Sequence, residues 1–209
     1  MSALPRSILT RGSAALNENT VLRGARARLK MPMPSDYTAW STLRADSRNF
    51  LRPWEPTWPR DDLTRMAYRR RIRRYHREIR NDEGYAFFVF AEPHGELVGG
   101  ITLAHVKRGV TQSCSMGYWA GERFAGKGYM SDAVRTLVPF CFDVLGLNRI
   151  EAATLPNNER SINLLKRVGF TTEGYARRFL CINGAWRDHI LFALVAGDSV
   201  PPDDAERIA

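Results

Sequence analysis

The hydrophobic positions along the chain change period several times, and each change marks an element. Between Thr20 and Lys30, Val21, Leu22, Ala25, Ala27 and Leu29 alternate loosely with polar residues and predict a strand, which Pro32 and Pro34 end. Ser35 is placed to cap a helix over 36–46. Residues 49–59 hold three prolines and two tryptophans, so no regular helix runs through them. Over 61–80, Met66, Tyr68, Ile72, Tyr75 and Ile79 fall at spacings near three and four and predict a helix, with Asp61 and Asp62 at its positive end. Strands follow over 85–91 and 97–106, joined by a turn at 93–96, and a third over 112–120. A glycine-containing loop leads into a helix over 129–145 that Gly146 closes. Ile150, Ala152 and Thr154 give a strand over 149–155, and a helix over 158–168 stops at Gly169. Phe170 opens a strand, Asn183-Gly184 is a hairpin turn, and the last strand covers 186–195. This order predicts an α+β fold, a mostly antiparallel mixed sheet flanked by helices. One domain over 20–195 is expected, between a flexible N-terminal tail over 1–19 and a polar C-terminal tail over 196–209.

Composition narrows the class. With 209 residues, 44% hydrophobic and 25% charged, the chain holds enough apolar material for one core and is not a disordered, collagen-like or coiled-coil sequence. No run approaches the ~18 apolar residues of a membrane span, and residues 1–19 lack the compact apolar segment of a signal peptide. No membrane partner is expected. Cys114, Cys141 and Cys181 are odd in number and widely spaced, which argues against a disulfide framework or a zinc knuckle. The four histidines are isolated from one another, so no metal site is expected. Reduced thiols without an export signal point to the cytoplasm. The net charge is +9, and only four of the 31 basic residues are lysines. Such a balance suits phosphorylated ligands or polyanions. Seven arginines crowd Arg69–Arg80, either a phosphate-binding face for RNA or the ribosome, or a solvated helix surface.

The segment richest in chemistry is Gly117-Tyr-Trp-Ala-Gly-Glu-Arg-Phe-Ala-Gly-Lys-Gly-Tyr-Met130, where a strand enters a glycine-rich turn that opens a helix. Small residues let a ligand approach the backbone, and a helix N-terminus offers unpaired N–H groups and the positive end of a dipole. That combination binds phosphate, so Arg123 to Met130 is a candidate site for a pyrophosphate-bearing cofactor. A dinucleotide fingerprint requires a third glycine that Gly126-Lys-Gly128 lacks. A P-loop fits by spacing from Gly121 to Lys127, but Gly128 stands where a magnesium-binding hydroxyl belongs.

Arg123-x-x-Gly126-x-Gly128 does resemble the Q/R-x-x-G-x-G/A signature of the GNAT acyl-CoA N-acyltransferases, and Gly117-Tyr-Trp119 precedes it as a strand. Asn158-Glu-Arg-Ser161, followed by Gly169-Phe170, is similar to the N-x-x-S/A helix of that family. Phe50 to Pro56, Glu173 to Ala176 and Ile182 to His189 extend the resemblance over about residues 20–195, toward the branch that acetylates the N-terminal alanine of a ribosomal protein. The resemblance implies a GNAT fold and acetyl-CoA as cosubstrate. It implies a cofactor site at Tyr118, Trp119, Ala120, Arg123, Phe124, Ala125, Gly126, Lys127, Gly128, Tyr129 and Met130, with Asn158 and Lys166. The implied acceptor is the N-terminus of a small-subunit ribosomal protein, whose α-amine, with a pKa near about 8, is partly neutral at cellular pH. Ser161 is the implied general acid toward the leaving thiolate, with Asn158 orienting it or the cofactor.

Glu55 is the candidate base, or else the anion that attracts the incoming ammonium. The carboxylate that related enzymes place in the strand after Gly-Phe falls on Leu180 here, so a direct carboxylate base has no inherited position. Trp54, Trp58, Tyr118 and Trp186 are the candidate walls of a narrow acceptor tunnel, with Glu55 among them. Two other functions stay open: the same chemistry on a small-molecule or peptide-toxin amine, and a ribosome-assembly factor that binds RNA through the 69–80 helix.

Overall fold

The computed structural model describes residues 20–201; the tail expected over 1–19 lies outside them, as does the 202–209 part of the tail expected over 196–209. Eight strands form one sheet in the order β1-β2-β3-β4-β5-β6-β8-β7. The strands are β1 (Val21–Arg23), β2 (Ala27–Lys30), β3 (Tyr85–Ala91), β4 (Leu97–Lys107), β5 (Ser113–Ala120), β6 (Arg149–Thr154), β7 (Thr171–Ile182) and β8 (Ala185–Val195). All neighbours are antiparallel except β5 and β6. The helices are α1 (Tyr37–Asp46), α2 (Arg48–Leu51), α3 (Arg65–Arg80), α4 (Tyr129–Pro139) and α5 (Glu159–Arg167). β3 is buried at every residue, so both faces of the sheet must be covered there. Tyr85 and Phe87 meet Phe140 edge-on beyond the end of α4, while α3 packs on β3 and α1 on β4.

Several boundaries differ from the local signals. The strand expected over 20–30 is a hairpin, because Asp132 reaches in from α4. Its carboxylate accepts the N–H groups of Ala25, Arg26 and Ala27 at 3.2, 2.9 and 2.9 Å. Gly24 leaves room for it, since a Cβ there would lie 2.4 Å from Asp132 Oδ2. Replacing Asp132 by alanine removes the acceptor from three amides at once. We expect a loss of about 3 kcal/mol in urea unfolding. Ser35 is not the helix cap. Pro34–Asp36 forms a 3-10 turn in which the Asp36 carboxylate accepts Met33 N–H at 2.8 Å and pairs with Lys30 at 2.9 Å.

The helix expected from Asp61 starts at Arg65, because Thr64 Oγ1 accepts the Ala67 N–H and caps it. Of its predicted stripe, Tyr68, Ile72, Tyr75 and Ile79 are buried, whereas Met66 is exposed. The helix expected over 129–145 ends at Pro139 and continues as a π turn over Phe140–Val144, with Leu145 N–H donating to the Phe140 carbonyl. Asn183 and Gly184 both have positive φ, +47° and +80°, and close the β7–β8 hairpin as the dipeptide predicts. Residues 196–201 run back along the domain, where Arg135 donates to the Pro201 carbonyl at 3.0 Å.

Asp82, at the entry to β3, accepts hydrogen bonds from Tyr85 Oη at 2.6 Å and from Arg108 Nε and Nη2 at 2.6 and 2.7 Å. Burial acts to raise its pKa, but the bonds from Arg108 and Tyr85 outweigh it and hold the carboxyl below the usual range. A carboxyl whose pKa is depressed by folding contributes stability above its unfolded pKa, and that contribution is lost as pH falls through the folded value. We therefore expect the melting temperature of the wild type to fall more steeply below about pH 4 than that of Asp82→Asn. Parallel melting curves for the two proteins across acid pH check this.

Candidate active site

β5 and β6 part early. Their parallel pairing covers only Ser113–Ser115 against Arg149–Glu151, while β5 runs on to Ala120 beside β4 and β6 runs on to Thr154 beside β8. From Met116 to Ala120, one edge of β5 has no strand partner among the described residues, and its backbone polar groups border a cleft. Because the two strands are parallel, the helices that follow them, α4 and α5, both begin at this opening.

α5 supplies Ser161. Asn158 caps the helix, its Oδ1 accepting the Ser161 N–H at 3.2 Å, so Asn158 orients Ser161 through the main chain. Ser161 Oγ lies 2.7 Å from Tyr118 Oη, which joins β5 to α5 across the cleft. Burial pushes the Tyr118 phenol up to about 12, against a smaller downward effect of its bond to Ser161. Tyr118 is thus a protonated donor at neutral pH. When it donates to Ser161 Oγ, the serine proton is free to point elsewhere.

The loop after β5 supplies the second feature. Gly126 and Gly128 take φ of +76° and +85°, a region that favours glycine. Gly128 is the N-cap of α4 and no side chain caps that helix. Among the described residues the amides of Gly126, Gly128, Tyr129, Met130 and Ser131 meet no protein acceptor. A Cβ at Gly126 would meet nothing within 4 Å, and Arg26 Nη1 stands 3.2 Å from where a Cβ of Gly128 would be. Unpaired amides, a helix dipole and a nearby guanidinium fit a diphosphate.

The other candidate cofactor residues divide by position. The amides of Phe124, Ala125 and Lys127 donate to Gly121, Glu122 and Phe124 carbonyls, so the turn itself engages them. The Phe124 and Met130 side chains are buried in the core, so only main chain of these two faces a ligand. Arg123 is exposed and pairs with Glu96 at 3.3 Å. Trp119 and Ala120 are half-buried on the open edge of β5. Lys166 is exposed in the last turn of α5, about 12 Å of helix rise from Asn158.

The acceptor candidates surround a loop that the hairpin tip holds. Asn183 N–H donates to the Glu55 carbonyl at 2.9 Å, and Arg52 Nε donates to Asn183 Oδ1 at 3.2 Å. Trp54 and Trp58 are half-buried there, and Trp186, just after the tip, is 65% exposed. Both Glu55 carboxylate oxygens are engaged, by Arg44 Nη1 and Nη2 at 3.1 and 2.7 Å and by Trp58 Nε1 at 2.6 Å. That engagement is the physical reason Glu55 is a poor candidate for the base. Arg44, Ser47, Asp132 and Arg26 escaped the sequence reading, since each acts through residues far away in the chain. Among the described residues, no group of three or more His, Cys, Asp or Glu is placed to hold a metal ion. No helix among them is long and apolar enough to cross a membrane.

A sheet split beside a glycine-rich helix start is the frame of an acyl-transfer site, and residues 26–171 match the family described as acetyltransferase (GNAT) domain. The chain belongs to the GNAT acetyltransferase family. It is similar to the [ribosomal protein uS5]-alanine N-acetyltransferase of Escherichia coli K12, 33% identical over 176 residues, 83% of this chain and 91% of that protein. The structure is similar to Mycobacterium smegmatis RimJ in complex with CoA-disulfide, with a TM-score of 0.80 and 32% identity over 90% of each chain. It is also similar to the ribosomal-protein-S5-alanine acetyltransferase of Vibrio fischeri, with a TM-score of 0.80, 27% identity, and 88% of this chain and all of that one covered.

Proposed function

We propose that this acetyltransferase moves an acetyl group from acetyl-CoA to the N-terminal α-amine of a ribosomal protein, with alanine as the acceptor residue. The observation that carries the reading is the pairing of Tyr118 with Ser161 across the cleft, beside the unpaired amides of Gly126 to Ser131. The Escherichia coli and Mycobacterium smegmatis relatives support the acceptor and the CoA ligand. Such an acceptor puts the reaction in the cytoplasm.

The amides of Gly126, Gly128, Tyr129 and Met130 would hold the diphosphate, while acetyl-CoA supplies the activated acyl group. The free edge amides of Tyr118 and Ala120 polarise the carbonyl oxygen. The neutral amine nitrogen bonds to the carbonyl carbon, the carbon–sulfur bond breaks, and Ser161 Oγ gives its proton to the departing thiolate. Tyr118 holds Ser161 in donor geometry, and water takes the proton lost by the amine and returns one to the Ser161 oxygen. Trp54, Trp58 and Trp186, around the Asn183 tip, line the acceptor approach.

Thermal melting tests the donor half. Acetyl-CoA and CoA are expected to raise the melting temperature and ATP is not, because only a ligand that binds the native state stabilises it. Mass spectrometry of ribosomal proteins from cells with and without this enzyme tests the acceptor half. One small-subunit protein is expected to lose an N-terminal acetyl group, and unchanged N-termini would turn the reading toward a small-molecule or peptide-toxin amine.

A second role has its own observation. On α3 the buried residues Tyr68, Ile72, Tyr75 and Ile79 leave Arg69, Arg73, Arg77 and Arg80 exposed, and none of these four has an acidic partner among the described residues. Such a row suits contact with RNA phosphates during ribosome docking. Binding to a ribosomal RNA fragment that weakens steeply with salt, and is lost when those four become glutamine, is the expected result.

A further inference from the structure

α1 and the residue that ends it turn one face to both loops of the site. Leu43, Arg44 and Ser47 stand three and four residues apart, hence on one side. Ser47 Oγ accepts the Glu122 N–H at 2.9 Å, at the start of the loop that leads to Gly128. A Cβ on Gly121 would lie 2.3 Å from Leu43 Cδ1, so that loop rests directly on the helix.

Arg44 faces the other loop. Its side chain is only 7% exposed, and its fork holds both oxygens of Glu55. The guanidinium carbon lies 4.1 Å from the centre of the Trp58 ring and 4.9 Å from that of Trp119. Trp58 completes the cluster by donating Nε1–H to Glu55. Trp119 adjoins Tyr118 in β5, so the cluster ties the acceptor loop to the strand whose phenol holds Ser161.

We propose that Arg44 is a positioning residue for the amine acceptor: it clamps Glu55 and Trp58 against Trp119 and so sets the acceptor wall beside Tyr118. Glu55 is then the anion that a buried guanidinium needs, not the proton acceptor. The planar fork matters, since an ammonium can neither grip a carboxylate with two parallel bonds nor stack on indole rings in the same way. Removing either charge strands the other in a buried place.

The inference rests on the acetyl transfer proposed above, and the test separates the two. The full-length wild type, Arg44→Lys, Arg44→Met and Glu55→Gln are assayed with acetyl-CoA and a synthetic peptide bearing a free N-terminal alanine. Turnover of that peptide by the wild type checks the acceptor reading alone. Both Arg44 variants are expected to raise the peptide KM about tenfold or more and to leave the acetyl-CoA KM within about twofold. Glu55→Gln should share the rise in peptide KM and keep the acid limb of the pH–rate profile. The double variant Arg44→Met/Glu55→Gln should be no worse than Arg44→Met.

Acrylamide quenching of tryptophan fluorescence reads the clamp with no acceptor at all. It should increase in Arg44→Lys and Arg44→Met, and it decides the matter if the peptide is not turned over. Unchanged peptide KM or unchanged quenching in Arg44→Lys overturns the proposal. So does an equal rise in the acetyl-CoA KM, or loss of the acid limb in Glu55→Gln, which would make Glu55 the base.

Discussion

Ser161→Ala is expected to lower kcat about 100-fold, with the KM for acetyl-CoA nearly unchanged. A positioned general acid contributes about 10²- to 10⁴-fold, and the lower end applies because a thiolate leaves more readily than an alkoxide. Tyr118→Phe should cost less, about tenfold, since it removes the hydroxyl that holds Ser161 and leaves the serine proton in place. The two effects should not multiply in the double variant, because both act through one hydrogen bond. The Tyr118 phenol, pushed up to about 12 by burial, keeps its proton through any practical assay, so no basic limb from it should cut the rate below about pH 10. Stopped-flow release of CoA thiol from the three variants across pH makes the comparison. A Ser161→Ala enzyme that retains more than half of the wild-type kcat removes the serine from the chemistry.

Gly128→Val should weaken acetyl-CoA binding at least about 100-fold. A β-branched residue held at a φ of +85° carries about 1–3 kcal/mol of strain. Its side chain also pushes on Arg26 and tilts the first amides of α4 away from the ligand. Relief of that strain moves the amides that a charged group would bond, each bond worth about 1.5–3 kcal/mol. Together these exceed the roughly 2.7 kcal/mol that a hundredfold change in Kd requires. The unliganded protein should melt only a few degrees lower, since the loop lies at the surface and the core is untouched. Isothermal titration with acetyl-CoA, beside melting of the free protein, separates lost binding from lost folding. Undiminished binding would place the diphosphate somewhere other than this helix start.

Both of these variants touch residues that the sequence itself marks. Gly126 and Gly128 announce themselves because a left-handed turn before a helix is a local event, written in the few residues that make it. Asn158 and Ser161 are legible for the same reason, as a cap and a first-turn residue three positions on. The long helices and strands follow from their periods, but their ends do not. Thr64 caps a helix expected to begin at Asp61, and α4 passes into a π turn after Pro139, through hydrogen bonds that propensity alone does not rank. The hairpin at 21–30 was hidden because its acceptor, Asp132, lies more than a hundred residues away. The surroundings of Glu55 were hidden for a like reason. Its neighbours in the chain are Trp54 and Pro56, but its chemistry comes from Arg44 and Trp58.

The sequence by itself determined the class of fold, the glycine turn that bares helix amides, and the serine at the head of α5, since each depends on backbone preferences acting over a few residues. Only the tertiary structure decided which groups meet. Tyr118 and Ser161 are 43 residues apart and come within 2.7 Å because β5 and β6 pair for three residues and then separate. The point of separation follows from how the whole sheet packs between its helices. That packing balances burial against chain entropy over the entire domain, and no short stretch of residues encodes it.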